Sequence, residues 1–216
     1  MVKCDIGEVL RYMGYCGQEI LPETLCLIEK IAEEAQACIL PKYCTLKIRV
    51  KNSDVGVASD GITFVGEDIK KHLSGCDEAI LIAATLGFGM EQKIRTYEAS
   101  ELVKAVIMDS CGSALIESYL DMICGEIGER LKKENLFLTA RFSPGYGDLP
   151  LSLQKDFLRA VNAERKIGLT CNESFLLSPR KSVTAIVGIT RDKPDRCLKL
   201  SCDMCNMAYD CPYRKK

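Results

Sequence analysis

A chain of 216 residues with 47% hydrophobic content can bury a sizeable core, and nothing in its composition forces more than one domain. Twenty-nine basic residues against thirty acidic ones leave a net charge of -1, which excludes both a basic face for nucleic acid and an acidic block for a cationic partner. No segment approaches about eighteen unbroken apolar residues and no basic region precedes an apolar run at the N-terminus, so no membrane span is expected and the chain is expected to be cytoplasmic.

Thirteen cysteines is an odd number, unlike the even disulfide framework of a secreted chain. Cys4, Cys16, Cys26, Cys38, Cys44, Cys76, Cys111, Cys124 and Cys171 stand singly among helix and strand residues, as small hydrophobes do in a reducing compartment.

In chain order, Ile6, Val9, Leu10 and Met13 mark a short amphipathic helix that Gly14 stops. Pro22 opens a second helix, with Leu25, Ile28, Ile31, Ala32 and Ala35 on one face. Leu46, Ile48 and Val50 alternate with charged residues in a strand, and 55–58 with 62–65 form a hairpin around Ser59-Asp60-Gly61. A short helix through Leu73 carries the only histidine, His72, which beside its lysines reads as solvated. Residues 79–86 are almost wholly apolar, a strand buried on both faces that Gly87-Phe88-Gly89 ends.

From about Tyr97 to Lys133 runs one long helix, with Leu102, Val103, Val106, Ile107, Leu115, Leu120, Ile123, Ile127 and Leu131 as its apolar stripe. Asp109, Ser113, Glu117 and Asp121 recur every four residues and share a face. The plain reading of such a face is solvation. Gly112 argues against it, because a mid-helix glycine costs about 1 kcal/mol relative to alanine and is best explained by something packing closely there. A strand over 136–142, a helix over 151–161 and a β-branched strand over 183–190 complete the series. Strands and helices do not alternate regularly, so the expected fold is α+β, a mainly antiparallel sheet covered by helices with one long central helix.

The stretch Arg141-Phe142-Ser143-Pro144-Gly145-Tyr146-Gly147-Asp148-Leu149-Pro150 joins two of these elements. Two prolines and two glycines forbid regular structure, and Pro144-Gly145 suits the centre of a type II turn. The turn is expected to leave the backbone of Gly145 and Gly147 bare to a ligand. Arg141 offers a five-donor fork to a carboxylate or phosphate, and Tyr146 a flat face and a hydroxyl. These residue types make a binding loop without naming its ligand.

This loop, the following helix, then Ile167-Gly168-Leu169-Thr170-Cys171-Asn172-Glu173-Ser174 and Ser178-Pro179-Arg180-Lys181-Ser182-Val183, resembles the activation domain of cobalamin-dependent methionine synthase. That domain binds S-adenosylmethionine (AdoMet) beside an oxidised cobalamin, and one-electron reduction with methyl transfer restores methylcobalamin. The resemblance implies that Arg141, Gly145 and Tyr146 contact AdoMet, with Ser143 taking part through its backbone. It also implies acids at two positions where this chain has Asn135 and Ser113; Glu117, one turn from Ser113, is the residue expected to restore an acid there. The family's tyrosine pair beyond the Ser-Val strand is missing. The implied protein is a free-standing, trimmed relative: residues 1–195 an activation-like domain, 196–216 a cysteine-rich tail. Its partner would be a corrinoid-bearing methionine synthase or related methyltransferase holding the cobalamin, with a possible separate electron donor. The rival expectation is a docking module that works without AdoMet.

In the tail, Cys197, Cys202, Cys205 and Cys211 fall within fifteen residues, and the first three have the C-x4-C-x2-C spacing of plant-type iron–sulfur ligation. Four thiolates also hold zinc tetrahedrally, so an iron–sulfur cluster, zinc and a tail without metal all stand as readings. No P-loop, no H-E-x-x-H and, with one histidine, no Ser-His-Asp arrangement supports a hydrolytic enzyme.

Overall fold

The structure, a computed structural model, describes residues 2–59 and 61–192. Asp5 accepts a hydrogen bond from the Glu8 N–H and starts helix α1 (Ile6–Tyr12); Pro22, whose missing N–H is no loss in a first turn, starts α2 (Pro22–Cys38). Strand β1 (Lys42–Arg49) follows, then a small antiparallel sheet of β2 (Lys51–Ser53), β3 (Gly56–Ser59) and β4 (Ile62–Val65). Helix α3 (Glu67–His72) leads to β5 (Glu78–Thr85), α4 (Phe88–Glu98) and α5 (Leu102–Lys132), whose 31 residues make a rod of about 46 Å. The chain ends its described part with β6 (Phe137–Leu138), α6 (Gln154–Val161), α7 (Ala163–Ile167), the short pair β7 (Thr170–Cys171) and β8 (Leu177–Ser178), and β9 (Ser182–Thr190).

The main sheet is antiparallel in the order β1-β5-β9-β6, so the expected α+β architecture with one long central helix is what the chain adopts. Strand period does the sorting. Ile80 and Ile82 of β5 face a core built with α1, α2, α4 and α5, while Leu81 and Ala83 face a second core under α6, α7 and the β3–β4 hairpin. A strand packed on both faces needs the unbroken apolar run that the sequence shows over 79–86.

Two expectations about helices change. The long helix does not begin near Tyr97: α4 and α5 are separate, divided at residues 99–101. Met90, Ile94 and Tyr97 form the buried i, i+4, i+7 face of α4, and the glycines before them hid that pattern. At the start of α5, Leu102, Val103 and Val106 are exposed, and the buried stripe runs instead through Ile107, Met108, Cys111, Leu115 and Leu120. The turn that follows α5 closes at Asn135, in the left-handed region at φ 55°, with the Asn135 N–H donating to the Lys132 carbonyl and the Leu136 N–H to the Leu131 carbonyl. Asparagine tolerates that conformation, so a helix stop accounts for the residue at this position.

The scattered cysteines are free thiols. Cys44, Cys111 and Cys124 are buried as expected, but Cys16 and Cys26 are exposed. Cys197, Cys202, Cys205 and Cys211 lie outside the described residues. Among the described residues no group of three or more His, Cys, Asp or Glu is placed to hold a metal ion, and no helix is long and apolar enough to cross a membrane.

Candidate functional site

The polar face of α5 is not left to solvent alone, although its acids stay partly exposed. It receives two cations from two different loops. Arg141 donates from Nη1 to Asp121 Oδ1 at 2.7 Å and from Nη2 to Glu117 Oε2 at 2.8 Å. Two turns toward the helix N-terminus, Lys181 Nζ meets Asp109 Oδ1 at 3.0 Å and donates to Ser113 Oγ at 2.9 Å. Both basic side chains are only 12% exposed, so these contacts form in a partly water-excluded setting where charge-assisted bonds are stronger than on an open surface.

Gly112 makes the Lys181 contact possible. A Cβ there would lie 2.9 Å from Lys181 Cε, 3.0 Å from Cγ and 3.1 Å from Cδ, so the lysine stem crosses the helix at a position that has no side chain. Arg180, next to it, donates its N–H to Glu91 of α4. The segment carrying Ser178 to Ser182 is thereby fixed across both helices.

Electrostatics differ between the two cations. Burial pulls the Arg141 guanidinium down, but the hydrogen bond it donates to Asp121 and the charge of Glu117 outweigh it and hold the group above its ordinary value. For Lys181 burial wins over Asp109, and the neighbouring charge of Arg180 adds to it, so its pKa lies below the usual lysine range. Tyr12 of α1 is raised by its own burial and next by the charge of Glu117, which puts the end of α1 beside the same cluster.

The loop itself is two interlocked turns. The Tyr146 N–H donates to Ser143 O at 3.0 Å around Pro144-Gly145, with Gly145 at φ 95°, as the third position of a type II turn requires. The Leu149 N–H then donates to Tyr146 O, and the Gly145 N–H to Leu149 O at 2.9 Å. The backbone is therefore not bare, as the sequence suggested: Gly145 spends its N–H inside the loop. Gly147, at φ 53°, lies against Asp68, where a Cβ would come within 2.4 Å of Oδ2. Asp148 latches the loop to α3, accepting from the N–H groups of Glu67 at 2.6 Å and Asp68 at 3.1 Å. Tyr146, 56% exposed, lies against Phe142 with ring centroids 6.3 Å apart.

Of the predicted residues, Arg141 and Glu117 meet directly, while Ser143, Gly145 and Tyr146 share the adjoining turn. Sequence reasoning missed Asp121, Lys181, Asp148 and His72. The fourfold spacing on α5 and the glycine within it were the available signal for the first two. His72 is not the solvated residue expected of it: its ring packs on Phe142 at 5.0 Å and its Nε2 is 3.2 Å from Thr139 Oγ1. Burial lowers its pKa, against a hydrogen bond with the Ala140 backbone. The α3 helix thus holds the loop at both ends.

These features define an α+β domain with a two-turn loop seated on the polar face of its central helix. The chain matches no protein-family model and no curated protein sequence. Among solved structures, it is similar to the MetH reactivation domain, crystallised bound to AdoHcy: the TM-score is 0.63 at 15% identity, over 89% of this chain and 76% of that one. A likeness at that identity establishes the fold.

Proposed function

We propose that this chain is a stand-alone activation subunit that binds AdoMet and docks on a corrinoid-bearing methyltransferase, a methionine synthase that lacks such a domain of its own. The observation that carries the reading is the Arg141 loop seated on Glu117 and Asp121 within the fold of the MetH reactivation domain. Arg141 and the Tyr146 turn would hold AdoMet, with Glu117 and Asp121 near its positive charges. When bound, AdoMet supplies the methyl group that a one-electron-reduced corrinoid on the partner accepts. This chain's own part is to hold the sulfonium ligand beside that partner, which makes it half of a catalyst.

Calorimetric titration with AdoMet, repeated on Arg141→Ala, tests the assignment. Binding by the wild type and a loss of about tenfold or more in the variant are expected, since a hydrogen bond to a charged group contributes about 1.5–3 kcal/mol. No binding by the wild type, or equal binding by the variant, refutes it. Circular dichroism of the variant checks its fold.

One observation favours a second reading. The guanidinium is already committed to two carboxylates and Lys181 already occupies Ser113 and Asp109, as in a module held together by its own ion pairs. Such a module would dock without AdoMet, its tail held by zinc. A pull-down that recovers a corrinoid protein equally with and without AdoMet supports it.

For the tail, the spacing of Cys197, Cys202, Cys205 and Cys211 supports an iron–sulfur cluster, which these thiolates would hold and which would pass the reactivating electron to the corrinoid in place of a separate docking donor, a cellular reductant restoring each electron it gives. Protein purified without oxygen should be brown, contain iron and acid-labile sulfide, and lose both in Cys202→Ala. Colourless protein with one equivalent of zinc makes the tail structural, because zinc has no redox chemistry.

A further inference from the structure

Strand β9 is paired with β5 along 182–189, but its other edge is covered only in part. Phe142 and Ile186 exchange both backbone hydrogen bonds, at 2.9 and 2.7 Å, and the Thr139 N–H donates to Gly188 O at 3.0 Å. In an antiparallel ladder the N–H and C=O of one residue point to the same neighbour, and alternate residues point the same way. Thr184, two residues before Ile186, therefore turns its N–H and C=O away from β5. The Phe142–Ile186 register sets Pro144 opposite it. Proline has no N–H to give, and there the chain leaves the sheet for the Ser143–Tyr146 turn.

Thr184 is only 2% exposed, yet no described residue hydrogen-bonds its backbone on that side. Buried backbone groups are nearly always satisfied, so this edge is an open account. Beside it stands Gln154, the first residue of α6 and 5% exposed. Its Oε1 accepts from Thr184 Oγ1 at 2.7 Å, while its Nε2 has no hydrogen-bond partner among the described residues. One backbone donor and one backbone acceptor thus lie at the root of the loop, on the residue whose side chain the Gln154 carboxamide holds.

We propose that the Thr184 backbone and the Gln154 carboxamide form the edge that recognises the adenine ring of the ligand, a proposal that rests on the AdoMet reading above. Adenine presents an amino donor at N6 flanked by acceptors at N1 and N7. The Thr184 C=O and N–H complement N6 and N1, and a glutamine carboxamide pairs naturally with the adenine edge. Arg141 and Tyr146 then serve the amino-acid end of the same molecule, and Thr184 sets the choice of base.

The experiment is calorimetric titration of wild type and Gln154→Ala with AdoMet and with its 6-oxo (inosyl) analogue, in which the N6 donor is gone and N1 has become a donor. The wild type should prefer AdoMet by about tenfold or more, because the Thr184 backbone reads N6 and N1; Gln154→Ala should keep that preference and bind both ligands about fivefold more weakly, since N7 is an acceptor in both. Equal binding of both ligands by the wild type, or an undiminished affinity in the variant, overturns the inference while leaving AdoMet binding intact; a wild type that binds neither ligand overturns both readings. Should Gln154→Ala fail to fold, the amide signal of Thr184 in nitrogen-15-labelled wild type decides. Saturation with AdoMet should shift it and slow its hydrogen exchange by about tenfold or more, and an unchanged Thr184 amide overturns the proposal.

Discussion

Gly112→Ala puts the polar face of α5 to its sharpest test, because propensity and packing pull in opposite directions there. Alanine is better than glycine inside a helix by about 1 kcal/mol, so propensity alone predicts a more stable protein. The new Cβ, however, would stand 2.9–3.1 Å from three carbons of the Lys181 stem, closer than carbon atoms pack. The stem must swing out, taking Nζ from Asp109 and Ser113. Losing a charge-assisted pair of contacts whose lysine is buried and whose carboxylate is partly exposed costs about 2 kcal/mol, so the net expectation is destabilisation by about 1 kcal/mol. In a Lys181→Ala background nothing is left to displace, and Gly112→Ala should stabilise by about 1 kcal/mol, a coupling of about 2 kcal/mol between the two sites. Urea unfolding of the four proteins, followed by circular dichroism, measures this. A Gly112→Ala substitution that stabilises both backgrounds equally would falsify the notch.

The loop latch makes a second prediction: Asp148→Ala removes both acceptors at the start of α3 and should cost about 1 kcal/mol, visible also as faster proteolysis at residues 143–149; unchanged proteolysis would argue that the loop holds itself. A third concerns pH. Burial lowers the pKa of His72 below its usual 6.5, so its contribution is complete above that pH and is lost as pH falls toward the folded value, where the unfolded chain takes up a proton first. As the chain has one histidine, the stability difference between wild type and His72→Gln should shrink as pH drops from 7 to 5, and a difference constant with pH would place the ring in water.

Much of this molecule was legible in the sequence because local rules act over a few residues. The unbroken apolar run of β5, the proline that opens α2, the Pro144-Gly145 turn and the fourfold spacing on α5 each follow from chain geometry that does not depend on distant partners. Sequence also showed that Gly112 needs a close neighbour. It could not say which, because Lys181 lies 69 residues further along the chain and only the seating of α5 beneath β9 brings the two together. The same holds for Arg141, whose fork looked available until the sheet placed it over Glu117 and Asp121, and for His72, whose lysine neighbours suggested water while its ring points to Phe142. Periodicity misled where a surface was apolar for reasons of its own: Leu102, Val103 and Val106 continue a helical pattern but face outward, since burial is decided by what a helix packs against and not by its own repeat. Local conformation was thus written in the chain's own residues; the pairing of charges, the latch on α3 and the open edge at Thr184 came from long-range packing, which no short window of sequence contains.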